Sequence, residues 1–419
     1  MAWFYWNPHP WHSASAIAFV DDFGEEIHLN VPFGDLKVHY NSIKGQIDKS
    51  VQRVLESGYY ILGPELQAFE KQFAEFLGAQ YAVGCASGTE AIYLALAAAG
   101  VGPGDEVLVV AHTAVPTISA ISMTGAEPVF VDIDPDTYVM DVTKVEAKIT
   151  AKTKAIVPVH LYGQMVDMEP LMKLAASKNI PVIEDVAQAT GASYRGQKAG
   201  TLTEFGAFSF YPSKNLGAFG DGGAVTTNSQ QGYERLLRLR NYGQSKRYYH
   251  DEVGINSRLD EIQAAILTAQ IPEVTGWNER RREIAARYTA GLSDTVVTPT
   301  ERNHHVYHLY VIQTGDRDGM QNYLLEKGIQ TLIHYPVPAH MQKAYKYRGY
   351  KEGDLPVTEY TTKRILSLPM FPQLTDDQID LVISEVRQYV KLNPSAKATR
   401  TDALSVNAVA PTLNHVTTR

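Results

Sequence analysis

Short apolar runs recur through the middle of the chain, at Glu106–Val110, Pro128–Ile133, Ala155–Leu161, Pro181–Val186, Phe205–Tyr211 and Ala224–Thr227. Each is long enough for a buried strand and too short for a helix. Between several of them the apolar spacing changes to a helical period. One such stretch opens at Ser87-Gly88-Thr89, runs through Ile92, Leu94, Leu96 and Ala99, and stops at Gly100. Another, capped by Asp167, spaces Met168, Leu171, Met172 and Ala175 along one helix face. Strand–helix–strand alternation predicts an α/β fold with a mostly parallel central sheet covered on both faces. No internal self-similarity appears, so a repeat architecture is excluded.

The pattern shifts beyond Leu259. A helical stretch through Ile262, Ile266 and Leu267 leads to Trp277 and Arg280-Arg281-Arg282, a run that reads as the solvated face of a long helix. An apolar strand at Leu309–Ile312, a helix near Met320–Lys327 and a last helix at Asp376–Val390 follow. These divide the chain into a large domain over residues 30–275 and a smaller C-terminal α+β domain over 276–392. Residues 1–29 are an N-terminal extension holding Trp3, Trp6 and Trp11, either a docking arm or an upstream stretch without a role. The tail over 393–419 has no aromatic residue and is rich in Ala, Ser, Thr and Asn. It buries too little to offset its ordering entropy, which predicts disorder.

A chain of 419 residues, 44% of them hydrophobic, buries a large core without staples. Its net charge of −8 argues against nucleic-acid binding, which runs on basic patches. The single cysteine, Cys85, excludes an internal disulfide framework and fits a reducing compartment. It reads as a small buried side chain. No apolar stretch is long enough to span a membrane, and residues 1–20 lack the basic start of a secretory signal. A cytoplasmic place is expected.

Open parallel sheets take ligands beyond the carboxyl ends of their strands, and three segments there carry chemistry. Ala86-Ser87-Gly88-Thr89-Glu90 is a small-residue turn opening a helix. Free N–H groups, the helix dipole and the Thr89 hydroxyl form an anion site, or else the turn is a plain N-cap. Val182–Gln188 ends a buried strand on the acidic pair Glu184-Asp185, and a charge there needs a partner. Asp185 suits a metal, a ribose hydroxyl or a protonated ring nitrogen, but no neighbouring His or Cys spacing supports a metal. Phe208–Gly217 places Lys214 in a tight loop that ends in Gly220-Asp221-Gly222-Gly223. That glycine run lacks the spacing and the position of a nicotinamide-binding loop. Pyridoxal phosphate needs an anion cradle, an amine and a carboxylate facing its ring nitrogen. Thr89, Lys214 and Asp185 are those groups, with the lysine placed to shuttle a proton.

The motifs Ser87-Gly88-Thr89-Glu90-Ala91, Val159-His160-Leu161-Tyr162-Gly163-Gln164, Glu184-Asp185-Val186-Ala187-Gln188, Ser209-Phe210-Tyr211-Pro212-Ser213-Lys214-Asn215-Leu216 and Gly254-Ile255-Asn256-Ser257-Arg258-Leu259 make the chain recognisable. Over roughly residues 30–390 it resembles the sugar aminotransferases often called DegT/DnrJ/EryC1/StrS, of the aspartate-aminotransferase-like fold (pyridoxal 5'-phosphate fold type I). The resemblance implies that Lys214 carries the cofactor, Asp185 pairs its ring nitrogen and Gln188 lies near its ring hydroxyl. It implies that Gly88, Thr89 and Ser209 hold the phosphate, completed in a homodimer by Asn256 of the partner subunit. L-glutamate is the family's usual donor and a nucleotide-linked keto-deoxyhexose its acceptor. Relatives that act as sugar dehydratases carry His in place of Lys214, so the lysine favours transamination. Ile333–His340 looks like the subgroup acting at C-3 of dTDP-linked 3-keto-6-deoxyhexoses; 4-keto nucleotide sugars and cyclitols are the alternatives, and a non-catalytic regulatory protein a remote one. Many relatives place an aromatic over the cofactor ring where this chain has Ala114. Lys246, Arg247 and Arg258 are the candidates for the pyrophosphate.

Overall fold

The apolar runs assemble into one sheet in the computed structural model, which describes residues 18–20, 26–28 and 30–400. Strands Tyr81–Cys85, Gly223–Thr227, Phe205–Ser209 and Ile183–Asp185 lie side by side in that order. Strands Thr153–Val157, Glu106–Val110 and Glu127–Val131 form a second group, with Glu106–Val110 in the middle. Parallel bridges Ile156↔Val182 and Val159↔Asp185 join the two groups into a continuous surface. Gly223–Thr227 runs antiparallel to both neighbours, while the other pairings are parallel. Every residue of Phe205–Ser209 and of Gly223–Thr227 is buried, as a sheet covered on both faces requires. Tyr81–Cys85 is a strand that periodicity did not reveal, because its run is short and interrupted by Gly84.

Alternation along Phe205–Ser209 sets which side chains reach the ligand edge. Phe208 and Phe210 point to one face, where Phe73 of helix Pro64–Leu77 meets them edge-on at 5.0 and 5.3 Å. Ser209 therefore turns to the other face. Helix Gly88–Ala98 covers that side, burying Ala91, Ile92, Leu94, Ala95 and Leu96. Its start is capped by the Ser87 hydroxyl, which accepts the Glu90 N–H at 3.2 Å.

A second buried cluster lies on helix Val274–Leu292, the antiparallel pair Tyr310–Gln313 and Ile365–Leu368, and helix Asp376–Leu392. Helix Val274–Leu292 belongs to both clusters: Val274 packs in the first, and Ile284, Ala285, Tyr288 and Leu292 in the second. The reading of Arg280-Arg281-Arg282 as a wholly solvated face fails at its centre. Arg281 is buried, and its guanidinium donates to the carbonyls of Met370 at 2.9 Å and Tyr307 at 3.4 Å. A single guanidinium reaching several carbonyls lets a helix bury a cation without an acidic partner.

The expected disorder from Asn393 also differs from the structure over its first residues. Pro394–Ala396 forms a 3-10 turn in which buried Ala396 offers its carbonyl to the Thr314 hydroxyl at 2.8 Å and to the Gly315 N–H at 2.9 Å. Small side chains fit there because Gly315 leaves the backbone room to approach. Residues 401–419 and the tryptophans of the N-terminal extension lie outside the described residues. Among the described residues no helix is long and apolar enough to cross a membrane.

One carboxylate anchors the chain before the first sheet strand. Buried Glu261 accepts the N–H groups of Gly63 at 2.8 Å, Glu65 at 2.9 Å and Leu66 at 3.1 Å, at the start of helix Pro64–Leu77. The helix dipole favours the charge there. Glu261→Ala strands these donors and lowers stability by about 3 kcal/mol, read as a fall in the urea midpoint at unchanged slope.

Candidate active site

Glu184 and Asp185 end the same strand but face opposite ways. Glu184 points into the protein, where its carboxylate accepts from the Gly200 N–H at 2.9 Å, the Leu202 N–H at 3.0 Å and the Thr203 hydroxyl at 3.2 Å. It also meets His160 Nε2 at 3.1 Å. Because the Val166 N–H donates to His160 Nδ1, the ring carries its proton on Nε2 and donates it to Glu184. This half of the acidic pair is structural.

Asp185 faces the ligand edge. Its Oδ1 accepts the Ala187 N–H at 3.0 Å and its Oδ2 the Thr117 hydroxyl at 2.8 Å. Thr117 is held in turn by Thr113, 3.0 Å away. Burial raises the carboxyl above its ordinary range, against the Ala187 and Thr117 hydrogen bonds and the charge of Lys214.

Lys214 stands opposite, in a turn closed by its own N–H on the Tyr211 carbonyl at 2.8 Å. Burial brings its amine down to about 8, with Asp185 pulling the other way. The same amine acts on two histidines. His334 is lowered to about 4, by burial first and then by Lys214, and His308 is lowered well below its ordinary value by the same causes. Lys214, Asp185, His308 and His334 therefore share one electrostatic site.

Gly88 and Ser209 close the site below. A Cβ on Gly88 would lie 2.4 Å from that of Ser209, so the helix start and the strand end touch through a residue that only glycine can supply. Thr89 follows on the first turn of the helix, half-buried. Gln188 sits beside Asp185: its Oε1 accepts the Tyr162 N–H at 2.7 Å and its Nε2 donates to the Tyr335 hydroxyl at 3.1 Å. Tyr162 holds a left-handed backbone (φ 62°) and sends its hydroxyl to the His334 carbonyl, with His112 Nε2 2.8 Å away.

Asn256 is placed apart from this group. Among the described residues no hydrogen bond joins it to Lys214, Asp185 or Thr89. It lines a cavity of about 520 Å³ together with Asp221 and Arg258. The next residue, Ser257, ties the segment to the helix start, accepting the Ala86 N–H at 3.2 Å and donating to Glu90 at 2.6 Å. Ala114 stands at the N-cap of helix Val115–Met123 and brings no ring to the site. Thr117, Tyr335, His308 and Asn215 join the site without having been singled out from sequence. Each lay inside or near a noted motif, but only the packing gives it a partner.

With this arrangement in view, the relationship to known proteins is direct. The DegT/DnrJ/EryC1/StrS aminotransferase family matches residues 41–387, and the chain belongs to it. It is an aminotransferase of the aspartate-aminotransferase-like fold. It is 45% identical over 366 residues to the dTDP-3-amino-3,4,6-trideoxy-alpha-D-glucose transaminase of Streptomyces venezuelae, covering 86% of this chain and 96% of that protein. It is 45% identical over 369 residues to a pleiotropic regulatory protein of Geobacillus stearothermophilus, covering 87% and 99%. Among solved structures, S. venezuelae DesV in complex with a ketimine intermediate superposes with a TM-score of 0.85 at 45% identity, covering 86% of this chain and 99% of that one. NtdA of Bacillus subtilis with bound cofactor PMP gives a TM-score of 0.82 at 32% identity, covering 88% and 86%.

Gly88→Ala forces Ser209 or the turn aside. The variant loses about 1–3 kcal/mol of stability, measured by chemical unfolding of the cofactor-free protein.

Proposed function

We propose that this chain transfers the amino group of L-glutamate to the keto carbon of a nucleotide-linked deoxyhexose, C-3 of a dTDP-linked 3-keto-6-deoxyhexose, with pyridoxal 5'-phosphate as cofactor. One observation carries the reading. A buried amine brought down to about 8 faces a buried, oriented carboxyl at the ligand edge of a parallel sheet, beside a helix start with no room for a Cβ. The transaminase and DesV likenesses support the sugar. The relative called a pleiotropic regulatory protein gives no reason to prefer a role without turnover, since Lys214 and Asp185 are both present and lie within each other's field.

The donors fit the cofactor. The N–H groups at Gly88 and Thr89 and the hydroxyls of Thr89 and Ser209 suit its phosphate, in the field of a helix N-terminus. Lys214 suits its aldehyde, and Asp185 its ring nitrogen. Gln188 suits the ring hydroxyl, with its amide direction set by the Tyr162 N–H. The bound cofactor supplies an electron sink for the bonds at the amine-bearing carbon.

The protein's part is acid–base and positional. Lys214 Nζ takes a proton from one carbon and returns it to another, and an amine near 8 is well poised for both. Thr117 and Ala187 hold the Asp185 carboxylate in one orientation, so its charge is aimed rather than diffuse. Tyr162, Tyr335 and His334 form a packed wall that limits water around the amine.

Two copies sharing their sites are part of the proposal. Asn256 reaches the partner's phosphate, and Lys246, Arg247 and Arg258 flank the path to the pyrophosphate. Exposed Tyr211, Phe219, Tyr242 and Tyr248 on the same side suit a surface that another copy covers. A cytoplasmic place accords with the unpaired, buried Cys85.

The test measures 2-oxoglutarate released from L-glutamate with 3-keto and with 4-keto nucleotide sugars. At least about tenfold preference for the 3-keto sugar is expected; faster turnover of the 4-keto sugar, or no 2-oxoglutarate, defeats the proposal. Lys214→Ala lowers turnover by at least about a thousandfold. Only the neutral amine attacks an aldehyde, so capture of pyridoxal phosphate by the cofactor-free protein quickens as pH rises. The rate climbs about tenfold per unit below pH 8 and levels above it, followed by visible absorbance.

A further inference from the structure

Lys214 is followed by a residue whose side-chain polar atoms are both engaged. Buried Asn215 donates through Nδ2 to Asn278 Oδ1 at 2.7 Å and to the Val306 carbonyl at 3.2 Å. Its Oδ1 lies 3.1 Å from His308 Nδ1. Since Nδ2 serves two acceptors, Oδ1 is the acceptor for His308, which must carry its proton on Nδ1. Asn278 is buried as well and donates onward to the Thr190 carbonyl at 3.0 Å, two residues beyond Gln188.

The anchors do not belong to the sheet that bears Lys214. Asn278 lies on helix Val274–Leu292, and one turn later Arg281 holds the carbonyls of Tyr307 and His308. Val306 packs in the first buried cluster, and the segment runs on through His308 into strand Tyr310–Gln313, whose Tyr310 and Ile312 pack in the second. A side chain next to the amine-bearing residue is thus bolted to the C-terminal part of the fold.

We propose that Asn215 is a positioning residue for Lys214: through Asn278, Val306 and His308 it locks the lysine's loop to helix Val274–Leu292 and keeps His308 in a single neutral tautomer beside the amine. The inference rests on the reading of Lys214 given above and goes beyond it. A lysine that releases and regains a covalent partner needs a backbone that stays put while its side chain swings. The Lys214 loop closes on itself through the Lys214 N–H on the Tyr211 carbonyl and the Ala218 N–H on the Phe210 carbonyl, and the Asn215 side chain adds the tie from that loop to helix Val274–Leu292. The clamp also bears on the amine's protonation. The titratable and charged groups around it are Asp185, His308 and His334, with Arg281 acting on His308 from behind. Burial is what keeps Lys214 below its ordinary range, against the upward pull of Asp185, and a closed clamp preserves that burial.

The experiment follows pyridoxal phosphate capture by cofactor-free protein across pH, beside steady-state turnover of the loaded enzyme. In Asn215→Ala the opened clamp admits water, and the capture midpoint moves up by about one pH unit. The kcat falls about tenfold while KM for L-glutamate stays within about twofold. Asn278→Ala moves both in the same direction, and Asn278→Gln, which keeps an acceptor for Asn215 Nδ2 and a donor for the Thr190 carbonyl without adding charge, recovers part of the loss. A folded Asn215→Ala protein with the wild-type midpoint and a kcat within about twofold overturns the proposal, even if its melting temperature drops. If Asn215→Ala does not fold, the Asn278 pair decides: equal behaviour of Asn278→Ala and Asn278→Gln overturns it. Wild-type protein that captures no cofactor at Lys214 would instead defeat the functional reading.

Discussion

Burying an amine and a carboxyl within each other's field, without letting them collapse into a simple ion pair, is the constraint on which this molecule depends. Asp185 is held by Thr117 and by the Ala187 N–H, so it is oriented by neutral donors and not by Lys214. Lys214 feels its charge without a hydrogen bond to it. A direct pair would hold the amine protonated and high; burial without pairing brings it down toward neutrality.

The fold supplies that arrangement by placing strand ends. Asp185, Ser209 and the Ser87 turn all lie where parallel strands stop, and alternation turns each toward the same side. The aromatic stack of Phe73 against Phe208 and Phe210 holds Ser209 on the ligand face, and the missing Cβ of Gly88 lets the helix dock on it. Helix Val274–Leu292 then ties this edge to the second cluster, with Asn278 and Arg281 as buried polar connectors.

Much of this was legible in the residues. Apolar runs at strand length announce a buried parallel sheet because both faces of such strands are covered. Lys214, Asp185 and Thr89 stand out together, because an amine, a carboxyl and a helix start each at a strand end are the three groups that one cofactor needs, while the lysine and the helix start each have an ordinary structural reading alone. What escaped notice did so for physical reasons. Arg281 sits in a run of three arginines, and nothing local says that the middle one is aimed at carbonyls of Tyr307, His308 and Met370, in two segments farther along the chain. Tyr81–Cys85 is too short and too interrupted to announce a strand until Gly223–Thr227 pairs with it. Pro394–Ala396 has little apolar bulk, and is ordered by the hydrogen bonds of the Ala396 carbonyl with the Thr314 hydroxyl and the Gly315 N–H together with the burial of Ala396 in the second cluster, a fit that local pattern does not announce.

By itself the sequence determined which chemistry is available: an amine, a carboxyl and an anion cradle, each at the end of an element that local pattern can locate. Those features are written in the spacing of neighbours along the chain, which is all that periodicity and capping can read. Only the tertiary structure decided that Glu184 is consumed by His160 while Asp185 is free for a ligand. It alone set the amine near 8, gave Gln188 its direction through Tyr162, and bound Lys214's neighbour to Asn278 and His308. Burial and hydrogen bonding between segments far apart in sequence are properties of packing, and packing is where the protonation and orientation of these groups are settled.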